Sequence, residues 1–284
     1  MTGVLLEAYG LTSLDVSAAA GYIVRSLDLG DAATREVVND APDADGTIDS
    51  TQFIGARAIT LTVRLVPRNG FIPAVLERQL RAFTAPRLRP TMTITRDGIP
   101  VQRVTLRRGP FNSPLQQATY QDITVQWFCP SGILESAIEH VANVYAAGTG
   151  VTAGRAYSLT FSRTYPASAP LGSSAIVNDG NSDAFPLIRL YGPFTNPVFD
   201  NVTLDKSLQF SAMTIAAGQF VEINTRTKTI YADGNPAAPL YDKLDFPESK
   251  WWTLSPGSNV LRFHPATFTE GVTRAEVVWR DAYL

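Results

Sequence analysis

The sequence predicts a mainly β protein with two domains: an N-terminal antiparallel sheet or barrel that carries one α-helix, and a C-terminal β-sandwich. Short segments with alternating or continuous apolar residues recur along the chain, and turn residues separate them. The 19 prolines and 20 glycines are spread out rather than clustered, which is typical of many short strands joined by turns. At 284 residues the chain is long for one core, so two domains are expected.

The N-terminal domain is predicted over residues 1–145, and its clearest strand spans 58–66. Four apolar side chains there alternate with polar ones, so one face of the strand should be buried. These four are Ile59, Leu61, Val63 and Leu65. A first strand or an extended arm is predicted at 4–14, and further strands are predicted at 22–24, 91–95, 101–106 and 121–128. The step Asp97-Gly98 predicts a hairpin turn between two of them. A polar loop with several acids is predicted over 39–50.

One helix is predicted over residues 71–83. Pro73 suits its first turn, and apolar residues recur at the spacing of a single helical face. The members of that face are Ile72, Leu76, Leu80 and Phe83, and the solvated face carries Arg78, Gln79 and Arg81. A helix among strands indicates an α+β element packed on a sheet or a barrel mouth.

The small residues at 146–154 predict a domain junction, so the C-terminal domain is expected over 146–284. Its strands are predicted at 155–163, 174–177, 185–191, 208–215, 220–224, 227–231, 251–254, 259–263 and 275–279. Short strands at this spacing favour a sandwich over an α/β fold.

The window 178–199 has the densest turn and strand signals of the chain. Residues 178–181 predict a turn in which Gly180 supplies a positive φ. Residues 185–191 are apolar on both sides, which predicts a strand buried on both faces. A Gly-Pro step ends that strand, and the extended segment that follows is expected to pair with it as the opening hairpin of the sandwich.

Composition limits the function. A formal charge of −2 offers no electrostatic case for specific nucleic-acid binding, and no apolar run is long enough for a membrane span. The N-terminus lacks the pattern of a signal peptide, which predicts a protein that stays in the compartment where it is made. The single cysteine, Cys129, is expected to be a buried, inert thiol. His140 and His264 lie in no metal-binding spacing, and no nucleotide or cofactor motif is present, so no cofactor is predicted.

Three groups of residues are candidates for chemistry or binding. Asp179, Asp183 and Glu222 are carboxylates in or near sandwich strands, which either serve turns and solvated faces or form a glycosidase pair. Trp251 and Trp252 either pack in the core and at an edge or form a platform for a carbohydrate ring. The basic residues Arg103, Arg107 and Arg108 either protect a sheet edge or line a passage for DNA.

Several ordered blocks of the sequence carry a family resemblance. They include NDGNSDAFPLIRLYGP, AAGQFVEINTRTKTIY, WWTLSPGSNVLRF and AEVVWRDAYL in the second half, and VRSLDLGDAATREVV and DGTIDSTQFIGARAITLTVRL in the first. Together these blocks resemble siphophage distal tail proteins, a family also described as minor tail proteins. The resemblance covers most of the chain, and none of its blocks is a catalytic signature.

The resemblance implies a non-enzymatic structural protein of a long, non-contractile bacteriophage tail. Its N-terminal domains would form a homo-oligomeric ring, usually a hexamer, that joins the tail-tube protein to the tail-associated or hub protein at the tail tip and leaves a channel for DNA. Its C-terminal sandwich would be galectin-like or similar to a carbohydrate-binding module, and would hold a receptor-binding protein or a host surface glycan. The implied location is the virion, with assembly in the host cytoplasm. The alternative is a carbohydrate-binding module of a tail or cell-wall-associated protein.

Overall fold

The computed structural model describes residues 3–35, 52–66, 70, 72–114, 120–146 and 172–284, and the backbone of 39–40 and 47–48. Most of the predicted loop at 39–50, nearly all of the predicted junction at 146–154 and the predicted strand at 155–163 lie outside the described residues. The chain forms two compact units, Met1–Ile138 with Tyr283–Leu284, and Glu139–Ala282. The predicted division into 1–145 and 146–284 stays a prediction about independently folding domains.

The strands and helices follow one another along the chain in this order. The first part contains β1 (Gly3–Glu7), β2 (Leu14–Val16), a 3-10 helix (Ala18–Ala20), β3 (Tyr22–Asp28), β4 (Ala32–Arg35), β5 (Asn39–Asp40), β6 (Thr47–Ile48), β7 (Phe53–Leu65), α1 (Pro73–Ala82), β8 (Thr91–Arg96), β9 (Ile99–Thr105), β10 (Arg107–Asn112), β11 (Gln121–Cys129) and β12 (Leu134–Ser136). The second part contains β13 (His140–Tyr145), β14 (Ser173–Asn178), β15 (Leu187–Tyr191), β16 (Phe194–Thr195), β17 (Val198–Asn201), a 3-10 helix (Val202–Leu204), β18 (Lys206–Gln209), β19 (Thr214–Ile215), β20 (Phe220–Asn224), β21 (Thr229–Ala232), a 3-10 helix (Tyr241–Lys243), β22 (Gly257–Phe263), β23 (Thr267–Phe268), β24 (Arg274–Trp279) and β25 (Ala282–Tyr283).

The first unit contains two sheets and the helix. One sheet has the order β2-β1-β8-β9-β12-β25, and the other has the order β10-β11-β7-β3, with β4 also paired to β7. The registers of these pairs are antiparallel. The predicted mainly β fold with one α-helix is confirmed, since α1 is the one α-helix of the described residues.

The core of the first unit is built by alternation along β7 and β11. The four predicted apolar positions of β7 are fully buried, and so are Ile123, Val125 and Trp127 of β11. Leu76 and Leu80 of α1 are buried in the same core, whereas Ile72, predicted as part of the helical face, is 60% exposed. The reason is that the helix begins at Pro73, so Ile72 is an extended residue at its start rather than part of its face.

Tyr22 of β3 attaches the helix to the sheets. Its hydroxyl donates to the carbonyl oxygen of Leu76 at 2.9 Å, and burial raises the pKa of Tyr22 to about 12. The bond satisfies a polar group that would otherwise be costly in the core.

The second unit contains a five-stranded sheet, a four-stranded sheet and a small three-stranded sheet. Their orders are β13-β24-β15-β20-β21, β14-β22-β17-β18 and β19-β16-β23. Alternate residues are buried along β15, β20, β22 and β24, so the two larger sheets each have one core face. Aromatic rings fill that core, among them Phe199 and Phe263 at 5.8 Å between ring centroids.

The predicted opening hairpin is wrong. β15 pairs with β20 and β24, whereas β17, the extended segment that follows it, pairs with β18 and β22 in the other sheet. The chain therefore changes sheet after β15 instead of turning back on it. Burial of β15 on both faces is wrong as well, because its second face carries Arg189, which is bonded to two glutamates.

Three other predicted segments differ from the structure. The segment 4–14 contains β1, which ends at Glu7, and only the first residue of β2. The segment 208–215 divides into the end of β18 and the short β19, and the two belong to different sheets. The segment 251–254 forms no strand and contributes one isolated bridge between Leu254 and Ala184. The predicted pairing of 220–224 with 227–231 is confirmed as β20 and β21.

Position 180 requires glycine, but the reason is a close backbone contact and not the predicted positive φ. Its φ is not in the left-handed region, but a Cβ built on it would lie 1.9 Å from the carbonyl oxygen of Ala282. The turn is held by the buried side chain of Asn178, which donates to the carbonyl oxygens of Ser182 and Leu254 and accepts from the backbone N–H groups of Gly180 and Ala282. The absent side chain lets two backbone segments touch.

Candidate functional site

The two adjacent tryptophans have different environments. Trp252 is 2% exposed and packs on Phe199, with 5.6 Å between ring centroids. Its ring therefore offers no free face to a sugar, and this half of the predicted platform is wrong because the residue belongs to the core. Trp251 is half-buried, and its role as a platform stays a prediction.

The structure separates the three basic candidates. Arg103 lies on β9 of the six-stranded sheet, opposite Glu135. Arg107 and Arg108 lie exposed on β10, which is the terminal strand of the other sheet. The latter two thus occupy a sheet edge, where positive charge opposes unwanted strand pairing.

The three candidate carboxylates lie on different elements. Glu222 of β20 accepts a hydrogen bond from Arg189 Nε at 3.0 Å, and Asp183 accepts one from the Thr253 hydroxyl at 2.8 Å. Asp179 is an exposed residue of the turn that precedes Gly180. The carboxylates of Glu222 and Asp183 thus each have a local structural role.

A charged cluster that the sequence did not predict lies on the four-stranded sheet. Asp200 of β17 and Arg262 of β22 are cross-strand partners, and His264 directly follows β22. Phe199 and Phe263, the neighbours of Asp200 and Arg262, are fully buried. Because successive strand residues face opposite sides, the charged cluster lies on the face of the sheet away from the core.

All the hydrogen bonds of the Asp200 carboxylate converge on one oxygen. Arg262 donates to Oδ2 through Nε at 3.1 Å and Nη2 at 2.8 Å, and Nε2 of His264 lies 2.8 Å from the same atom. An ionised carboxylate only accepts, so the imidazole donates its N–H here. Among the described residues Oδ1 has no hydrogen-bond partner.

The cluster also determines the charge state of Asp200, which is only 9% exposed. Burial by itself raises the pKa of Asp200, but the hydrogen bonds from His264 and Arg262 outweigh it and hold the pKa below its ordinary value. Asp200 is therefore ionised at neutral pH although it is buried.

A cavity of about 320 Å³ opens at this cluster. Its lining is polar and charged apart from two valines. The residues are Val198, Asp200, Asn201, Val202, Asp205, Lys206, Ser207, Gln209, Arg262 and His264. β17, β18 and β22 position most of these groups, and sites built on strands hold their side chains more precisely than sites built on loops.

The sequence contains only a weak signal for this site. Arg262 is a charged residue between the apolar Leu261 and Phe263 of a predicted strand, whereas Asp200 lies between the apolar Phe199 and the polar Asn201. Such alternation indicates a solvated face equally well. His264 lies in no metal-binding spacing, and no pattern in the sequence places it beside Asp200. Within the described ranges no three His, Cys, Asp or Glu residues are grouped as a metal site would need.

The described part of the chain contains no helix long and apolar enough to span a bilayer.

Comparison with known proteins shows which class of protein the second part of the chain resembles. Residues 179–283 match the family described as the siphovirus-type tail component, C-terminal domain. Over these residues the chain is therefore similar to that family of phage tail components, and the resemblance to siphophage distal tail proteins is confirmed.

Solved structures of phage proteins superpose on nearly the whole chain. The SPP1 Dit protein (gp 19.1), described as a paradigm of the hub adsorption apparatus in Gram-positive infecting phages, superposes with a TM-score of 0.63 at 12% identity, over 99% of both chains. Chains of the phage P2 baseplate in its activated conformation give 0.48 at 10% identity with Ca and 0.46 at 11% with Sr, each over 98% of both chains. A comparison with curated protein sequences gives no match.

Proposed function

We propose that this chain is a non-enzymatic structural protein at the tip of a long, non-contractile phage tail, where its copies form a closed ring. The observation that carries the proposal is the family match of residues 179–283. The fold shared with SPP1 Dit over the whole chain supports extending the proposal to the first unit. The ring, a hexamer on the resemblance to distal tail proteins, would join the tail tube to the hub protein and leave a channel for DNA. Assembly would occur in the host cytoplasm.

The first unit offers a surface suited to contact between copies. β7 has 13 residues, but β11 ends opposite Arg57, so residues 53–56 have β4 as their only strand partner among the described residues. Phe53 and Ile54 in this segment are 50% and 46% exposed. A strand segment that has one strand partner among the described residues and carries exposed apolar side chains favours pairing with another chain.

A second copy of the chain is the occupant that fits a ring best. In a ring, one surface of each copy binds a different surface of the next, and the contacts close on themselves. Burying Phe53 and Ile54 in such contacts would remove two large apolar side chains from water. Arg107 and Arg108, on the other open edge of the same sheet, are the candidates for the side that faces the channel.

The experiment compares two exposed phenylalanines, one in each unit. Phe53→Asp should reduce or abolish the ring, because a charge in an apolar contact between copies is not compensated. Phe246→Asp is the matched control, since Phe246 is 62% exposed and lies in the second unit. Native mass spectrometry or light scattering on the full chain, alone and with the tail-tube and hub proteins, measures the assembly. A wild-type chain that stays monomeric under both conditions contradicts the ring.

The absence of catalysis is part of the same proposal. The candidate Glu222 is held by Arg189, and no nucleophile motif supplements it. The chain should release no reducing ends from cell-wall polysaccharide. Release that disappears in Glu222→Gln or Asp183→Asn would contradict the proposal.

A further inference from the structure

We propose, on the basis of the ring proposed above, that Phe53 of one copy inserts into an apolar groove at the start of α1 in the next copy. Arg35, which lies beside Phe53, then pairs with Asp15 of that groove. Three features of the first unit carry the proposal: the lining of the groove, the charges beside the two surfaces and the positions of the two surfaces along β7.

The receiving surface, called the α1 groove here, is a cavity of about 510 Å³. Its described lining is mostly apolar, and Asp15 is the one charged residue in it. The lining residues are Ser13, Leu14, Asp15, Ala19, Ala20, Tyr22, Gly70, Ile72, Val75, Leu76 and Gln79. Two of the apolar side chains, Ile72 and Val75, are 60% and 39% exposed. An exposed apolar groove of this size has room for a phenylalanine side chain and is stabilised by taking one up.

The inserting surface is the exposed start of β7. Phe53 and Arg35 are cross-strand partners on β7 and β4, and the guanidinium carbon of Arg35 lies 5.5 Å from the centroid of the Phe53 ring. Apart from this ring, the Arg35 side chain has no hydrogen bond or ion pair within the described part of the chain. The start of β7 therefore presents an exposed apolar side chain together with a cation.

The α1 groove offers the complementary combination. Asp15 is exposed, and its Oδ2 accepts a hydrogen bond from the Ser17 hydroxyl at 2.8 Å. Its Oδ1 has no hydrogen-bond partner among the residues that the structure describes. A cation beside the inserting side chain is attracted to this carboxylate. Apolar contact and opposite charge thus favour the same pair of surfaces.

The two surfaces lie near opposite ends of β7, so they do not meet within one copy. Phe53 is the first residue of β7 and Leu65 is the last, and Tyr22, which lines the α1 groove, pairs with Leu65. At about 3.3 Å per residue, the 13 residues of β7 separate its ends by about 40 Å. Contact therefore requires a second copy. Two different, complementary surfaces far apart on one unit are what a head-to-tail contact in a ring requires.

Filling the α1 groove tests the contact. Ala19 is exposed and lines the groove, so Ala19→Trp occupies the space for Phe53 without removing a buried side chain. Val75→Trp fills the same groove from α1 and serves as a second variant. Ala237→Trp is the matched control, because Ala237 is exposed and lies in the second unit. Native mass spectrometry on the full chain, alone and with the tail-tube and hub proteins, measures the assembly. We expect monomers for both groove variants and rings for the control, all with the circular dichroism spectrum of the wild type.

Charge reversal tests the ion pair. Asp15→Lys and Arg35→Glu each replace an attraction between copies by a repulsion, which should raise the concentration for half-maximal assembly by about tenfold. The double variant again has opposite charges at the contact, and should assemble within about threefold of the wild-type concentration. Asp15 and Arg35 belong to surfaces far apart in one copy, so this recovery identifies a contact between copies.

The possible results separate this proposal from the ring itself. Rings that persist in a folded Ala19→Trp or Val75→Trp chain overturn the insertion of Phe53 into the α1 groove and leave the ring intact. A double charge variant that assembles no better than the single variants overturns the pairing of Arg35 with Asp15. A wild-type chain that stays monomeric, alone and with its partner proteins, overturns both the ring and this contact.

Discussion

Replacing Gly180 with alanine tests the close contact between the turn at 178–182 and the end of the second unit. The new Cβ would lie 1.9 Å from the carbonyl oxygen of Ala282 and 2.6 Å from its nitrogen, so one segment must move by about 1.5 Å to restore ordinary contact. That movement breaks the bond from Ser182 N to Ala282 O, at 3.0 Å, and the bond from Ala282 N to Asn178 Oδ1, at 3.3 Å.

Each buried hydrogen bond lost in this way costs about 1–2 kcal/mol, because its donor and acceptor stay buried without another hydrogen-bond partner. The lower entropy of the unfolded alanine chain offsets up to about 1 kcal/mol. We therefore expect Gly180→Ala to lower the free energy of unfolding of the second unit by about 2–3 kcal/mol.

Native-state hydrogen exchange measures this loss separately for peptides of each unit. Gly3→Ala is the control, because its Cβ would lie 3.7 Å from Thr95 Cβ, an ordinary contact. Protection of the second unit should fall in Gly180→Ala, while the control should stay within about 0.5 kcal/mol of the wild type. An unchanged second unit in Gly180→Ala would refute the argument from close approach.

Three further predictions follow from buried side chains. Trp252→Ala should lower the free energy of unfolding, measured in urea, by about 3–5 kcal/mol, because it leaves a cavity in the core. Trp251→Ala should lower it clearly less, because Trp251 is only half-buried. Equal losses in the two variants would contradict this prediction. Cys129, fully buried, should react with a thiol reagent only after denaturation, so prompt modification of the native chain would contradict its burial. The pKa of Asp200 is lower in the folded chain than in the unfolded chain, so the ionised carboxylate stabilises the folded state. This contribution to the free energy of unfolding is complete above about pH 4 and is lost as the pH falls through the pKa of Asp200 in the folded chain. Unfolding measured against pH should show this acid loss in the wild type and in Asp183→Asn, and a smaller one in Asp200→Asn.

Local periodicity was sufficient to predict the elements that have one buried face. β7, β11, β20 and β24 were located because alternation along a strand records which side is buried. The helix was located for the same reason, since its apolar spacing differs from that of a strand. Its start was misplaced by two residues, because Ile72 fits the spacing but precedes the first helical turn.

Pairing between strands was not predictable in the same way. The segment 178–199 contains a strand, a Gly-Pro step and a second extended piece, and a hairpin is the simplest interpretation of that order. β15 instead pairs with two strands that are distant in sequence, and β17 pairs in the other sheet. The partner of a strand depends on how all the strands of the unit pack to bury their apolar faces. The sequence near one strand does not contain that information.

The sequence by itself determined the class of fold, the resemblance to tail proteins and the buried residues of the regular strands, because these depend on near neighbours in the chain. Only the tertiary structure decided that Gly180 accommodates the backbone of Ala282 and that Trp252 is a core residue. It alone also placed Asp200 beside Arg262 and His264, more than sixty residues away in the chain. In each of these features, residues that are distant in the sequence contact one another. The geometry of these contacts is determined by the packing of the complete unit.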